Sequence, residues 1–312
     1  MNYLVTGGTG FIGAYITRLL IQEGEEVVVY DANPCLDIAE KVIGKEESDR
    51  VKVVRGDITD LAHLIRTAQE YNIAKIIHMA ALLSLACSAN PVLAVRINCN
   101  GTANILETAR ILDLTKVVYA SSASVFGPAE KYEQEYIPNG VPHYPSNIYG
   151  ACKSFNEELA KHYFSEYGVD SVGLRFPVVY GVGHRGGAAA RVTEELMVKP
   201  ALGKPGAVPY GDEIINWLYV EDAARAVVMA SEKATTKTRA FNIDGDIRPV
   251  AEAADYVRKL IPVADLRLLP GYIGFTSKYD TTRVRKEIGY RPQWPIEKGI
   301  RKVIDDVRKE HN

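Results

Sequence analysis

Thr6-Gly7-Gly8-Thr9-Gly10-Phe11-Ile12-Gly13 follows directly on the apolar run Tyr3-Leu4-Val5 and leads into an amphipathic stretch over about 11–23. Strand, glycine turn and helix in that order make a phosphate cradle. Glycines at Gly7, Gly10 and Gly13 permit the tight turn, bring backbone N–H groups close to a pyrophosphate and let helix and strand pack closely. The helix start, led by Phe11 and Ile12, turns its partial positive charge toward the phosphates. A second apolar run, Val27-Val28-Val29-Tyr30, ends at Asp31, 18 positions beyond Gly13. That is near the spacing of about 20 at which a carboxylate accepts ribose hydroxyls. A carboxylate there repels a 2′-phosphate and no Arg follows it immediately, so NAD is favoured over NADP. After a third run comes Gly56-Asp57-Ile58. Asp57 is placed to accept the adenine amino group, and Thr59 or Asp60 is left to cap the next helix.

The same alternation continues outward. Val51-Lys52-Val53-Val54, Lys75-Ile76-Ile77-His78 and Lys116-Val117-Val118-Tyr119 read as buried strands, with helical patterns near 62–71 and 91–112 between them. This predicts an α/β fold of Rossmann type, a doubly wound parallel sheet with right-handed crossovers. The second half breaks the rhythm. Pro and Gly punctuate 181–187 and 199–211, helical pattern returns at 220–230, a strand at 240–243, and a helix closes the chain near 296–309. One sheet domain with a smaller, interleaved α/β substrate lobe fits. Residues 1–174 with about 212–245 form the NAD-binding unit, and about 175–211 with 246–312 the substrate-binding lobe.

Composition narrows the class. The chain has 312 residues, 47% hydrophobic and 24% charged, with a net charge of −2 from 37 Lys+Arg and 39 Asp+Glu. Disorder is excluded, as is a broad basic footprint for nucleic acid. No apolar run reaches the ~20 residues needed to span a bilayer. Strand residues at the very amino terminus leave no room for a targeting segment, so a cytoplasmic location is expected. Cys35, Cys87, Cys99 and Cys152 form no CxxC pair and no metal-spaced cluster, so reduced thiols and no metal are expected.

The chemistry is concentrated in Tyr149-Gly150-Ala151-Cys152-Lys153. On a helix, Tyr149 and Lys153 lie one turn apart on one face. An ammonium beside a phenol favours the phenolate, and a depressed Tyr exchanges protons with a substrate hydroxyl as a general acid–base group. Ser121-Ser122 closes the fifth strand, at the crevice of an open parallel sheet, where the Ser122 hydroxyl can hold a substrate oxygen as charge develops.

Taken in order, these residues resemble the extended short-chain dehydrogenase/reductase family, which includes the UDP-galactose 4-epimerases. Thr6 through Gly13, Asp31, Asp57-Ile58, His78-Met79-Ala80-Ala81, Asn98, Ser121 through Gly127, Tyr149 with Lys153, and Leu174-Arg175 through Tyr180-Gly181 all fall where the family has its motifs, across essentially the whole chain. The resemblance implies Tyr149 as acid–base group, Lys153 lowering its pKa and binding the nicotinamide ribose, and Ser122 positioning the substrate oxygen. It also implies Ala80, Ala81 and Ser121 along the cofactor channel, Asn98 bracing the central helix, and Phe176, Pro177 and Val178 at the nicotinamide end. A homodimer through a four-helix bundle is expected on the same ground.

Departures from the family pattern bear on the substrate. Val178 stands where nucleotide-sugar members carry Asn, and Asn216 stands in place of a phosphate-binding Arg. Val cannot donate a hydrogen bond and Asn cannot supply a charge-assisted fork. Arg185, Arg191, Lys204 and Arg283 are the cations left to compensate. Ala123 and Ser124 replace the Asp–Glu pair of the 4,6-dehydratases, which makes dehydration improbable. Two readings survive: a net NAD-dependent dehydrogenase acting on a secondary alcohol or ketone of a small polar, sugar-like molecule, favoured by the weakened diphosphate site, and a UDP-sugar 4-epimerase with retained NAD. A redox-sensing binding protein is disfavoured because Ser122, Tyr149 and Lys153 are intact. Ser84, Ser124, His143, His184, Arg185, Asn216 and Trp217 are the further candidate substrate contacts.

Overall fold

The computed structural model describes residues 1–48 and 51–311. Seven parallel strands form the central sheet: β1 (Asn2–Thr6), β2 (Glu26–Asp31), β3 (Lys52–Arg55), β4 (Lys75–His78), β5 (Lys116–Ser122), β6 (Ser171–Phe176) and, after three strands of a smaller sheet system, β10 (Ala240–Asn242). Their order is β10-β6-β5-β4-β1-β2-β3. The chain runs outward from β1 in one direction to β3, then returns to start again at β4. The carboxyl ends of β1 and β4 therefore flank a switch point, the place where an open sheet binds its ligand.

Side-chain alternation builds a core on each face. Tyr3, Val5, Val27 and Val29 join one cluster, while Leu4, Val28 and Tyr30 join the other. The helices Phe11–Gln22 and Val220–Glu232 cover the first face. Helices Leu61–Glu70, Gly101–Ile111 and Ile148–Tyr167 cover the second.

The remaining strands are β7 (Val178–Tyr180), β8 (Gly206–Val208), β9 (Ile214–Tyr219), β11 (Asp246–Pro249) and β12 (Leu266–Leu268). They make a three-stranded sheet β11-β9-β7 and a two-stranded sheet β12-β8. Trp217, Val250, Ile300 and Val303 from this part belong to the same apolar cluster as the first face of the main sheet, so the smaller lobe shares its core.

Two elements differ from the sequence expectation. The helical pattern at 91–112 comes in three pieces: Pro91–Ala94, a π-helical turn Val95–Asn100, and Gly101–Ile111. The wider turn carries Asn98, and Asn156 from the neighbouring helix donates to the Asn98 carbonyl at 3.0 Å. β6 is a central strand that the sequence reading did not mark. Its six residues, Ser-Val-Gly-Leu-Arg-Phe, are all buried, including Arg175, because Glu157 on the Ile148–Tyr167 helix compensates the charge.

Candidate active site

A cavity of about 530 Å³ runs along the carboxyl ends of β1, β2, β4 and β5 and under the segment after β7. At one end stand Asp31, Asp57 and Ile58, at the other Ser122, Tyr149 and Lys153, with Gly7, Gly10, Phe11, Ile12 and Gly13 along the wall between them. Gly7 has φ +67°, and a Cβ there would lie 2.8 Å from the Ala80 amide nitrogen. A Cβ on Gly13 would collide with the Gly7 carbonyl. Only glycine keeps strand, turn and helix this close. The Phe11–Gln22 helix has no side-chain cap at Gly10 and no acidic residue in its first turn, so its leading N–H groups are left for an anion.

Asp31 ends β2 with its carboxylate fixed. Thr9 Oγ1 donates to Oδ2 at 2.7 Å and the Asn33 amide donates to Oδ1 at 3.1 Å. Each oxygen accepts one bond and keeps acceptor capacity for a ribose hydroxyl. Asp57 lies in the wall and accepts the Thr59 amide at 2.8 Å, while Asp60 caps the next helix by accepting from the His63 amide. A dinucleotide thus fits the residues present: two carboxylates at the nucleoside end, a glycine cradle at the phosphates, and hydroxyl and amine groups at the far end.

At that far end, the Asn147 side chain accepts the Gly150 amide at 2.8 Å and starts the helix that carries Tyr149 and Lys153. Ser122 ends β5, its Oγ accepting the Ser124 amide at 3.1 Å. Lys153 Nζ donates to the Ala120 carbonyl at 2.7 Å. Burial lowers the lysine to about 8. Burial also pushes the Tyr149 phenol up to about 12, with a hydrogen bond from Ser122 pulling the other way. The expected depression of the phenol by Lys153 is therefore not seen in this geometry. Desolvation of the phenolate dominates, and the ammonium is held on a backbone carbonyl.

Beneath the site, Glu157 accepts from Ser121 Oγ at 2.5 Å and from Arg175 Nε and NH2 at 2.9 and 2.6 Å. Arg175 NH1 donates to the Asn139 carbonyl and to Asn242 Oδ1. This fully buried pair ties β5, β6, β10 and the Tyr149 helix together.

Ala80, Ala81, Ser84, Ser121, Ser124, Phe176, Val178, His184 and Arg185 also line the cavity. Four expected residues do not. Asn98 is buried behind the wall, where Oδ1 accepts the Leu82 amide at 2.8 Å and Nδ2 donates to the Leu82 carbonyl at 3.0 Å. It holds the 79–84 segment without facing the cavity. His143 packs beside Arg175 NH2 at 3.2 Å, away from the crevice, because that ion pair draws it inward. Asn216 is spent on backbone, with Nδ2 donating to the Ser277 carbonyl and Oδ1 accepting from the Gly245 amide. Trp217, on the opposite side of β9, is fully buried with its indole N–H on the Arg248 carbonyl. Neither Asn216 nor Trp217 reaches substrate space.

His184 is a wall residue rather than a free surface group. Its ring stacks on Phe11 at 4.3 Å, and burial lowers it to about 4, so it is neutral near pH 7. His78 lies between Thr6 Oγ1 and Thr102 Oγ1, burial lowering it to about 3; it is structural. Sequence reasoning missed Leu82, Leu83, Ile273 and Phe275, which complete the cavity from loops where no periodicity marks them. Among the described residues, no group of His, Cys, Asp and Glu is placed to hold a metal, and no helix is long and apolar enough to cross a membrane.

The sequence profile of the NAD dependent epimerase/dehydratase family matches residues 3–244. The chain belongs to that family. A putative UDP-glucose 4-epimerase of Methanocaldococcus jannaschii is 30% identical to it over 317 residues, covering 99% of each. The UDP-glucose 4-epimerase of Thermus thermophilus, solved in complex with NAD, is 28% identical and superposes with a TM-score of 0.83 over 99% of each chain. A monomeric L-threonine 3-dehydrogenase from a metagenome is 26% identical, with a TM-score of 0.87 over 99% of this chain and 100% of that one. The protein is an enzyme of the extended short-chain dehydrogenase/reductase class, and its cofactor is NAD.

Proposed function

We propose that the protein is an NAD-dependent dehydrogenase acting on a secondary alcohol or ketone of a small polar molecule, of the size of a sugar or an amino alcohol. The observation that carries this reading is the charge of the cavity wall. Among the described residues its only cations are Lys153 and Arg185, and its apolar lining includes Leu82, Leu83, Pro177, Val178, Ile273 and Phe275. A nucleotide-sugar substrate brings a second diphosphate into a space already receiving the cofactor's. Asn216, the residue at the usual phosphate-binding position, has its amide committed to backbone. The likeness to an L-threonine 3-dehydrogenase supports net oxidation of a small alcohol.

Bound NAD supplies the hydride acceptor and donor. Tyr149 Oη takes the proton from the substrate hydroxyl, or returns it to the ketone oxygen. Ser122 Oγ donates a hydrogen bond to the same oxygen, and Lys153 keeps a positive charge near the proton-transfer site. Residues 1–174 with about 212–245 then serve as the cofactor unit, and about 175–211 with 246–312 as the substrate lobe. A homodimer is part of the proposal. Leu85, Val92, Val95 and Phe155 are exposed on neighbouring helices over the second face of the sheet, an apolar strip suited to a second copy.

A second reading, UDP-sugar 4-epimerase with retained NAD, is favoured by the identity with the M. jannaschii relative along the full length of both chains. One assay separates the two. Incubation with NAD and a panel of small alcohols, L-threonine and free sugars included, should accumulate NADH, whereas UDP-glucose should give neither NADH nor UDP-galactose. Conversion of UDP-glucose without net NADH would replace the dehydrogenase reading by the epimerase.

A further inference from the structure

Between β7 and the Gly187–Thr193 helix, the chain crosses over the start of the Phe11–Gln22 helix. It is pinned on three sides. Tyr15 Oη donates to the Val182 carbonyl at 3.2 Å, the His184 ring stacks on Phe11 with planes 10° apart, and Arg185 NH1 donates to Cys35 Sγ at 3.2 Å. The Cys35 amide in turn donates to Thr9 Oγ1, which donates to Asp31 Oδ2. Arg185 therefore stands between the uncapped helix start, next to which His184 is stacked, and the ribose-facing carboxylate of Asp31.

A thiol is a weak acceptor, and among the described residues it is the only hydrogen-bond partner of the Arg185 guanidinium. The side chain is exposed at the cavity rim. The other cation in the wall, Lys153, is committed to Ala120 at the opposite end. The middle of the cavity, where the helix start awaits an anion, thus has one cation at hand, and that cation has donors to spare.

We propose that Arg185 binds the cofactor rather than the substrate, closing its guanidinium fork on the pyrophosphate from the side opposite the glycine cradle. A planar fork offers two parallel N–H groups to phosphate oxygens, and leaving a thiol for a phosphate exchanges a weak bond for charge-assisted ones. Asp31, held on the same edge, opposes an alternative role for Arg185 on a 2′-phosphate. The proposal rests on the family's use of NAD and stands whichever substrate reading is right.

Calorimetric titration of the cofactor-stripped protein with adenosine, ADP, NAD and NADP tests it without any turnover. Replacement R185Q should weaken ADP and NAD by about tenfold or more and leave adenosine unchanged, while R185K restores part of the loss. Unchanged melting temperatures, expected for an exposed side chain, keep the comparison clean. Equal losses for ADP and adenosine, or no loss for either, would overturn the assignment. So would unaltered NAD binding with a raised KM for the alcohol, which would return Arg185 to the substrate. A loss confined to NADP would move it to the 2′ position.

Discussion

Lys153 Nζ lies 2.7 Å from the Ala120 carbonyl and 5.5 Å from the centre of the Tyr149 ring, so the ammonium is anchored to the end of β5 while still facing the phenol. The two groups titrate far apart, the lysine near 8 and the phenol near 12. Alcohol oxidation needs the phenolate, and its population climbs with pH up to about 12. The positive charge that Lys153 holds beside the phenol ring is lost above about 8. The rate of oxidation should therefore rise through neutral pH and bend over near that value. Ketone reduction needs the neutral phenol, which persists up to about 12. Over the same range its rate should show no fall from the phenol and lose only what the Lys153 ammonium contributes above about 8. Tyr149→Phe should lower turnover by roughly 10²–10⁴-fold with NAD affinity nearly unchanged. In Lys153→Met the bend should vanish and the rate stay low. A flat profile, or retained turnover in Tyr149→Phe, would remove Tyr149 from the acid–base role.

Asp31 offers a second test at the other end of the cavity. Its carboxylate is held by Thr9 and Asn33, so it is oriented before any ligand arrives. Replacing it by Ala removes charge-assisted hydrogen bonds to the ribose and the repulsion toward a 2′-phosphate together. NAD should bind about tenfold more weakly or worse, and NADP should gain relative to NAD. Titration of both cofactors into Asp31→Ala checks this; an unchanged NAD-to-NADP ratio would place the ribose elsewhere.

The parts of this site that were legible in the sequence are those set by neighbours in the chain. The glycine turn, Asp31 at the end of its strand and the one-turn spacing of Tyr149 and Lys153 are local signals, and each residue lies in the cavity wall. What was not legible depends on pairing between distant segments. Asn216 sits opposite Ile247 in an antiparallel register with β11, and that register, absent from the local sequence, turns its amide onto Gly245 and Ser277. His143 is drawn from the crevice by a buried ion pair whose halves come from a helix and a strand 18 positions apart. Helical spacing placed Lys153 on the same face as Tyr149 but was silent on the Ala120 carbonyl, which decides where the ammonium sits. Desolvation, the cause of the raised phenol, is likewise a property of the packed interior.

The Glu157–Arg175 pair carries a prediction about stability and positioning. Burial raises the carboxyl's pKa, but Arg175, with His143 and Ser121, draws it below the ordinary carboxylate value. A depressed carboxylate contributes stability that is present above its unfolded pKa and lost as pH falls through the folded one. Glu157→Gln leaves the Arg175 charge uncompensated, which should cost about 3 kcal/mol or more near pH 7. Because the wild type loses its contribution on acidification, the gap between the two proteins should narrow below the carboxylate range. Denaturant unfolding at a series of pH values reads this directly, and a gap that does not change with pH would mean the pair is not linked to protonation. Ser121 loses its charged acceptor next to Ser122, so turnover should fall in the variant beyond what any fraction unfolded accounts for.

The proposed dimer can be broken at one side chain. Phe155 is half exposed on the Ile148–Tyr167 helix, and Val92 and Val95 on the adjoining helical pieces are 81% and 53% exposed. Apolar side chains gathered on one exposed face cost free energy in water, about 25 cal/mol for each Å² that a partner would cover. A second copy related by a two-fold axis would bury the same strip on both chains at once. A charge in the middle of that strip would be desolvated without a partner, so Phe155→Asp should turn a dimer into a monomer in light scattering. Phe155 lies outside the cavity wall, so NAD affinity should be retained. The metagenomic relative is a monomer, which makes the opposite outcome concrete: a wild-type protein that already scatters as a monomer would show that this strip is not a homodimer face.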